Sequence, residues 1–278
     1  MTTTRFAVAA GVADIRRYPD PAAELVTQAL MNAPATAGEV AAGWTHVTLA
    51  DYEGWIRTDQ LQKPINKAYG EVGKSRQLTA VINKPYSALF ARPGEPDTLG
   101  TVYLSTALPV LDATGPEHVQ VIWPGEQIGW LRCSDILLHP AHDVYPRMPI
   151  DVITAHARAF LGRPYLWGGT SWEGIDCSGF AQLCYRMGGY IIPRDADQQH
   201  DFWTRSVKRE ELQAGDLIFF GSKEITHVAM ALNDKEYIHA EGQHYNYVVI
   251  NSFDPADAHY YPRLDEIVWG IKREAHDL

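Results

Sequence analysis

The first 140 residues contain short segments in which hydrophobic and polar side chains alternate, separated by turn residues. Two stretches, His46–Gln62 and Val119–Leu138, follow one plan: an alternating segment, a turn, the motif Gly-Trp-hydrophobic-Arg, and a closing hydrophobic residue. The motifs Gly54–Arg57 and Gly129–Arg132 are 75 residues apart. A period of two favours β-strands, and frequent turns favour small all-β units. The pattern therefore predicts two small β-barrels, residues 1–65 and residues 66–140.

The pattern changes after the proline-rich segment His139–Pro149, which we interpret as a linker. Hydrophobic residues at helical spacing predict a helix over Asp151–Leu161, with Asp151 as its N-cap, and a second helix over Cys177–Met187. The strand-like runs that follow are Asp216–Phe220, His227–Leu232, Tyr237–Ala240, Tyr247–Asn251 and Glu266–Ile271. Helices followed by strands indicate an α+β domain over residues 141–278, so the predicted fold class is α+β multidomain.

Composition and charge narrow the choice of partner. The chain has 24 Lys and Arg against 34 Asp and Glu, a formal net charge of −10, and no basic run is longer than a pair such as Arg16–Arg17. Duplex nucleic acid and anionic membranes are therefore not expected as partners. The hydrophobic runs fall short of the ~18 residues that a membrane-spanning helix needs. The 8 Trp and 14 Tyr suggest aromatic-walled grooves, and we expect Trp55 and Trp130 to fill the barrel cores.

The cysteines and the N-terminal segment bear on the cellular compartment. Cys133, Cys177 and Cys184 are odd in number and have no Cys-x-x-Cys spacing, so neither a disulfide scaffold nor a zinc knuckle is expected. The first twenty residues have one early arginine and a short apolar run, which is a poor secretion signal. Both features favour a cytoplasmic location.

One cysteine lies where a nucleophile would be placed. Cys177 follows a glycine-rich loop, Trp167–Thr170, and begins the second predicted helix. A helix N-terminus favours the thiolate through its partial positive charge, and its N–H groups could hold an oxyanion during acyl transfer. Cys184 and Cys133 fit the commoner role of a small packed side chain.

A thiol nucleophile needs a base and a group that orients the base. His227 begins one predicted strand, and His239 lies twelve residues later on the next, so a turn between the strands would bring the two imidazoles together. His227 would then accept the thiol proton, and His239 would fix its tautomer. A metal site from His227, His239 and His244 is disfavoured, because the spacing and carboxylate partners of common zinc motifs are absent.

Six motifs in residues 151–271 resemble those of the NlpC-type papain-like cysteine peptidases, which cut bacterial cell-wall peptides. The motifs are Pro164–Gly169, Asp176–Phe180, Pro193–Asp195, Gly215–Phe220, Thr226–Ala229 and Ile238–Ala240. Residues 5–63 and 76–139 resemble bacterial SH3-like domains. The resemblance implies two N-terminal SH3-like β-barrels followed by a papain-like α+β peptidase domain.

The resemblance also implies residue roles. Cys177 matches the family nucleophile, His227 its base and His239 its third polar member, while Tyr165 matches a tyrosine thought to assist the oxyanion hole. The residues expected to line the substrate site are Tyr165, Trp167, Ser178, Asp195 and Tyr52. Among these, Asp195 matches the position that holds the substrate amine, with Ser178 nearby, and Tyr52 is the candidate first-barrel wall. The residue after the aspartate is Ala196 here and a serine in some relatives, so a substrate contact through that hydroxyl is not expected in this chain.

The members that this chain most resembles are γ-D-glutamyl-L-diamino acid endopeptidases. They release L-Ala-γ-D-Glu from murein stem peptides whose L-Ala amine is free, and they need no metal or other cofactor. Two alternatives stay open at this point: a non-catalytic scaffold that binds wall peptides, and an acyltransferase that uses the same three residues. The sequence leaves the preferred diamino acid and the oligomeric state open.

Overall fold

The computed structural model describes residues 4–66 and 78–274, so residues 1–3, 67–77 and 275–278 of the three predicted domains lie outside the described residues. The chain divides into two compact units, residues 1–146 and residues 147–278. Within the described ranges, no helix combines the length and the apolar character needed to cross a bilayer. The two predicted barrels fall in the first unit, and the predicted α+β domain corresponds to the second.

The first unit consists of two seven-stranded antiparallel sheets. The strands of the first sheet are β1 (Thr4–Val8), β2 (Val12–Arg16), β3 (Leu25–Leu30), β4 (Pro34–Ala41), β5 (Trp44–Thr48), β6 (Glu53–Arg57) and β7 (Leu61–Gln62). Those of the second are β8 (Leu78–Ile82), β9 (Tyr86–Phe90), β10 (Thr98–Tyr103), β11 (Ala107–Asp112), β12 (His118–Trp123), β13 (Gln127–Arg132) and β14 (Ile136–Pro140). The strand orders are β3-β2-β6-β5-β4-β1-β7 and β10-β9-β13-β12-β11-β8-β14, so the second sheet repeats the first strand for strand.

The glycine of each Gly-Trp motif lies where two strands cross closely. A Cβ atom on Gly54 of β6 would lie 2.8 Å from the carbonyl oxygen of Arg16 on β2. A Cβ atom on Gly129 of β13 would lie 3.0 Å from the carbonyl oxygen of Phe90 on β9. Because β2 and β9 hold the same place in their sheets, the sequence repeat reflects one backbone crossing that occurs twice.

The tryptophans of the two motifs do not fill the cores. Side chains alternate along a strand, so a buried Gly54 puts Ile56 on the core face and turns Trp55 to the other face. Ile56 and Leu131 are both fully buried, whereas Trp55 and Trp130 are half-buried. Trp55 instead packs edge-on against the His46 ring, with ring centroids 5.4 Å apart. The prediction that the tryptophans fill the barrel cores is therefore wrong.

The second unit is an α+β structure built on a six-stranded antiparallel sheet. Its strands are β17 (Arg205–Val207), β18 (Leu217–Phe220), β19 (His227–Ala231), β20 (Glu236–Glu241), β21 (Tyr247–Ser252) and β22 (Val268–Arg273), in the order β17-β22-β18-β19-β20-β21. The helices are α1 (Ile150–Ala159), α2 (Cys177–Met187), α3 (Ala196–Phe202) and α4 (Pro262–Glu266), and a two-stranded ribbon pairs β15 (Thr170–Ser171) with β16 (Gly174–Ile175). Helix α2 packs against α1 and against β19 and β20.

Most predicted elements of this unit are present, with four differences. Helix α2 has its predicted bounds, but α1 begins one residue early, so Pro149 is its N-cap and Asp151 lies in its first turn. Strand β22 begins at Val268, because the preceding residues form α4. The predicted linker overlaps β14, whose His139 pairs with Thr79 of β8. The short helix α3 was not predicted.

Candidate active site

Cys177 is the first residue of α2, and the carboxylate of Asp176 caps that helix. Asp176 accepts hydrogen bonds from the backbone N–H of Gly179 at 2.7 Å and from that of Gly168 at 2.9 Å. Gly168 has a φ of +76°, a left-handed conformation that glycine adopts without strain. A Cβ atom on Gly179 would lie 2.5 Å from the carbonyl oxygen of Gly169. The glycines therefore let the loop and the helix start meet at Cys177.

A buried arginine, which the sequence analysis did not assign, completes this capping network. The guanidinium of Arg194 is 2% exposed and donates to both carboxylate oxygens of Asp176, at 2.6 and 3.0 Å. It also donates to the hydroxyl of Ser178 at 2.8 Å. Such two-point contacts fix the relative orientation of the paired groups. Ser178, expected near the substrate amine, thus has its hydroxyl held inside this network.

The Cys177 thiol is buried, with 8% of the residue exposed. Burial raises its pKa to about 12, and the neighbouring Asp176 carboxylate acts in the same direction. Hydrogen bonds from the backbone of Val228 and Ser178, together with the charge of Arg194, act to lower the pKa but are outweighed. Burial thus opposes the thiolate that the helix N-terminus favours, so a base near the thiol is needed to make it nucleophilic.

Three adjacent strands carry a chain of hydrogen-bonded side chains next to this thiol. Nε2 of His227, at the start of β19, lies 2.8 Å from Nδ1 of His239 on β20. Nε2 of His239 lies 2.9 Å from Oδ1 of Asn251 on β21. His239 and Asn251 are fully buried. Since His227 immediately precedes Val228, whose backbone contacts the thiol, the histidine pair begins beside Cys177.

Both imidazoles are held in the neutral form. Desolvation lowers the pKa of His239 to about 4, partly opposed by its hydrogen bond to Asn251 and the charge of Glu241. Desolvation and the neighbouring His239 lower the pKa of His227 well below the usual histidine value. At neutral pH, His227 therefore carries a lone pair that can accept a proton.

Tyr165 lies close enough to this centre for the charges of Cys177 and Asp176 to affect it. Burial, followed by these two charges, raises the pKa of its phenol, so the hydroxyl stays protonated and can donate. Its ring packs on Gly242, where a Cβ atom would lie 2.5 Å from the ring. Its backbone N–H donates to the carbonyl oxygen of Asn246 at 2.9 Å.

Glu241, a buried carboxylate that the sequence analysis did not single out, shapes the loop behind Tyr165. It accepts hydrogen bonds from the backbone N–H groups of Gln243, His244 and Tyr245, at 2.9, 2.6 and 2.7 Å. Three backbone donors are thereby satisfied by one side chain, which fixes the turn that contains Gly242. The one sequence signal that could have identified Glu241 is its position directly after a predicted strand and before a glycine.

The other residues predicted to bind substrate are spread over several parts of the chain. Asp195 is partly exposed at the start of α3, and its carbonyl oxygen accepts from the backbone N–H of Gln199 at 2.9 Å. Trp167 is 61% exposed in the glycine-rich loop. Tyr52 lies in the first unit, half-buried against the core of the first sheet. The assignments of these three residues to the substrate site stay predictions.

Gln199 is a further buried residue near Cys177 that the sequence analysis missed. Its side-chain amide donates to the carbonyl oxygens of Ser178 and Pro193, each at 2.9 Å. The amide therefore ties the segment before Asp195 to the first turn of α2. The sequence around Gln199 is polar, so it gives no indication that this side chain is buried or that it joins two segments.

Comparison with known proteins matches the two units to two family models. The model for the NlpC/P60 family matches residues 162–262, and the model for the bacterial dipeptidyl-peptidase Sh3 domain matches residues 15–61. A solved structure of an NlpC/P60 family protein from Bacillus cereus is 26% identical and superposes with a TM-score of 0.85, over 97% of this chain and 99% of that one.

Curated relatives carry peptidase names. A gamma-D-glutamyl-L-lysine dipeptidyl-peptidase from Bacillus cereus is 32% identical over 78% of this chain and 67% of its own length. A protein of the same name from Bacillus subtilis is 33% identical over 68% of this chain and 60% of its own length. Dipeptidyl-peptidase 6 from Lysinibacillus sphaericus is 30% identical over 89% of this chain and 91% of its own. The chain thus spans less than two thirds of the Bacillus subtilis relative.

Proposed function

This chain belongs to the NlpC/P60 family of cysteine peptidases, and on that premise we propose that it hydrolyses the bond between γ-D-Glu and the diamino acid of murein stem peptides. The observation that carries the proposal is the contact of His227 with His239 at 2.8 Å, beginning beside the backbone that contacts the Cys177 thiol. A thiol with an oriented imidazole nearby that can take its proton is an arrangement suited to hydrolysis through an acyl-enzyme. A binding scaffold would need neither group.

In the proposed reaction, Sγ of Cys177 attacks the γ-carbonyl carbon while His227 takes the thiol proton. The backbone N–H groups at the start of α2 and the Tyr165 hydroxyl stabilise the negative oxygen of the intermediate. The C–N bond then breaks, the amine of the diamino acid leaves with the proton from His227, and a thioester remains on Cys177. Water attacks the thioester, His227 takes its proton, and the returning proton regenerates the thiol.

We assign to the enzyme a preference for stem peptides whose N-terminal L-Ala has a free amine. An ammonium group that is withdrawn from water needs an anionic partner. Asp195 supplies a carboxylate in the segment that Gln199 ties to the first turn of α2. Ser178 and Trp167 complete the part of the proposed substrate site that lies in the second unit. The names of the Bacillus relatives support a γ-D-glutamyl peptide as substrate.

Two matched peptides test this proposal. The purified chain should release L-Ala-γ-D-Glu from L-Ala-γ-D-Glu-meso-diaminopimelate, as measured by liquid chromatography and mass spectrometry. The same peptide acetylated on the alanine should not be cleaved, and Asp195→Asn should reduce the difference between the two. Equal cleavage of both peptides would contradict the free-amine assignment. No cleavage of either peptide, or of the L-Lys analogue, would contradict the reaction itself.

We propose in addition that the chain acts in the cytoplasm on peptides recycled from the wall. All three cysteines are free thiols, which suits a reducing compartment. Cell fractionation followed by immunoblotting checks this location, and recovery of the protein outside the cytoplasmic fraction would contradict it.

A further inference from the structure

Asn251 is fully buried at the far end of the histidine chain, and its contacts fix which way its amide faces. Nδ2 donates to the carbonyl oxygen of His259 at 2.9 Å, and it lies 3.2 Å from the hydroxyl of Tyr245. A carbonyl oxygen can only accept, so the nitrogen of the amide must be the atom on that side. The oxygen of the amide, Oδ1, is therefore the atom that faces His239.

This orientation determines where the protons lie on both imidazoles. Oδ1 can only accept, so the Nε2 atom of His239, 2.9 Å away, must carry a hydrogen. A neutral imidazole has one N–H, so Nδ1 of His239 carries no hydrogen and presents a lone pair. That atom lies 2.8 Å from Nε2 of His227, which must therefore donate. Nδ1 of His227 is left without a proton.

We propose that Asn251 is a positioning residue that sets the tautomers of both histidines and keeps Nδ1 of His227 bare as the proton acceptor. The inference rests on the proposed function for its kinetic consequence, while the proton positions stand on the contacts alone. Asn251 acts through His239. It touches neither the thiol nor the reacting atoms.

The opposite proton arrangement would disable the base. If His227 carried its hydrogen on Nδ1, its Nε2 lone pair would face the Nδ1 lone pair of His239 across 2.8 Å. Reversing both rings would need a donor at position 251 in place of the oxygen. With Asn251 present, His227 can also become an imidazolium without any proton moving along the chain, because its existing Nε2–H bond then becomes charge-assisted.

The experiment reads the protons directly. Nitrogen-15 NMR of the histidine rings in the full chain should place the hydrogen on Nε2 of both His227 and His239. In Asn251→Leu the acceptor is gone, so a share of His227 should shift to the Nδ1–H form. Tyr245→Phe, which leaves Oδ1 in place, is the matched control and should keep the wild-type tautomers.

The kinetic measurement separates this role from a structural one. For Asn251→Leu we expect kcat to fall on the order of 10²-fold, as for loss of a general base, with KM within twofold. Tyr245→Phe should change kcat less than twofold. A hydrogen on Nδ1 of His227 in the wild type would overturn the inference, even if Asn251→Leu failed to fold. So would unchanged tautomers and kcat in a folded Asn251→Leu. Because NMR needs no substrate, a failure of the proposed reaction alone would leave the wild-type tautomers as stated.

Discussion

The thiol of Cys177 lies beside two largely buried networks that differ in charge. On the helix side, Asp176 and Arg194 form a two-point ion pair. On the strand side, two neutral imidazoles end on an amide. The ion pair holds backbone N–H groups in place and takes no part in the proposed proton transfers. The two imidazoles on the strand side are kept neutral, because an imidazole that is to accept a proton must start without one.

The difference in charge means that the two networks are held together by different requirements. An ion pair tolerates burial only while both charges are present, so the helix side depends on the match between Asp176 and Arg194. The strand side has no charge to match and depends instead on the order of donors and acceptors. Each network can therefore be broken by a different kind of substitution.

The largest effect is expected at the thiol beside the two networks. Cys177→Ala should lower kcat by on the order of 10⁴-fold or more, as for removal of a nucleophile. Cys184, on the same helix, is also fully buried, and burial also raises its pKa. Cys184→Ala should leave kcat within twofold, because burial alone does not make a thiol reactive. Residual activity of Cys177→Ala near the wild-type rate would contradict the assignment of the nucleophile.

The next effect breaks the charged side. Arg194→Leu leaves the Asp176 carboxylate buried without its partner and should lower the free energy of unfolding of the second unit by about 3–5 kcal/mol. Lys235, whose ion pairs with Asp254 and Asp257 are partly exposed, provides the control. Lys235→Met should lower the free energy of unfolding far less, because water and salt screen exposed ion pairs. Hydrogen exchange of the α2 and β20 amides measures both values, and similar losses in the two variants would contradict the difference.

The smallest effect concerns the neutral side and depends on pH. The pKa of His239 is about 4 in the folded chain and 6.5 unfolded, so between these values the unfolded chain binds more protons. Stability from this residue is complete above pH 6.5 and is lost as the pH falls towards 4, by roughly 1–3 kcal/mol. Hydrogen exchange from pH 7.5 to 4.5 measures this slope. His239→Gln should flatten it, and an unchanged slope would contradict the buried neutral imidazole.

Local signals were enough to predict part of the fold from sequence. Helix α2 has its predicted bounds, because a capping aspartate precedes it and Gly188 ends it. Strands β19 and β20 were found because hydrophobic runs flank a turn, and their pairing brings His227 to His239. The family resemblance supplied what local signals lacked, namely the type of each unit.

The missed features depend on contacts between distant residues. Nothing near Arg194 in the sequence indicates a partner eighteen residues earlier, and nothing near Asn251 indicates His259 as the group that orients its amide. The error at Trp55 has a different cause. A strand has two faces, and only the crossing at Gly54 shows which of them is the core.

The crossing at Gly54 and Gly129 also limits how far the two barrels can diverge. At each site the carbonyl oxygen of a neighbouring strand occupies the volume of a side chain, so drift to any other residue would displace a strand. The tryptophans beside them are half-buried on the opposite face and carry no such restriction. The two halves of the first unit are therefore best aligned on these glycines, which hold matching places in the two sheets.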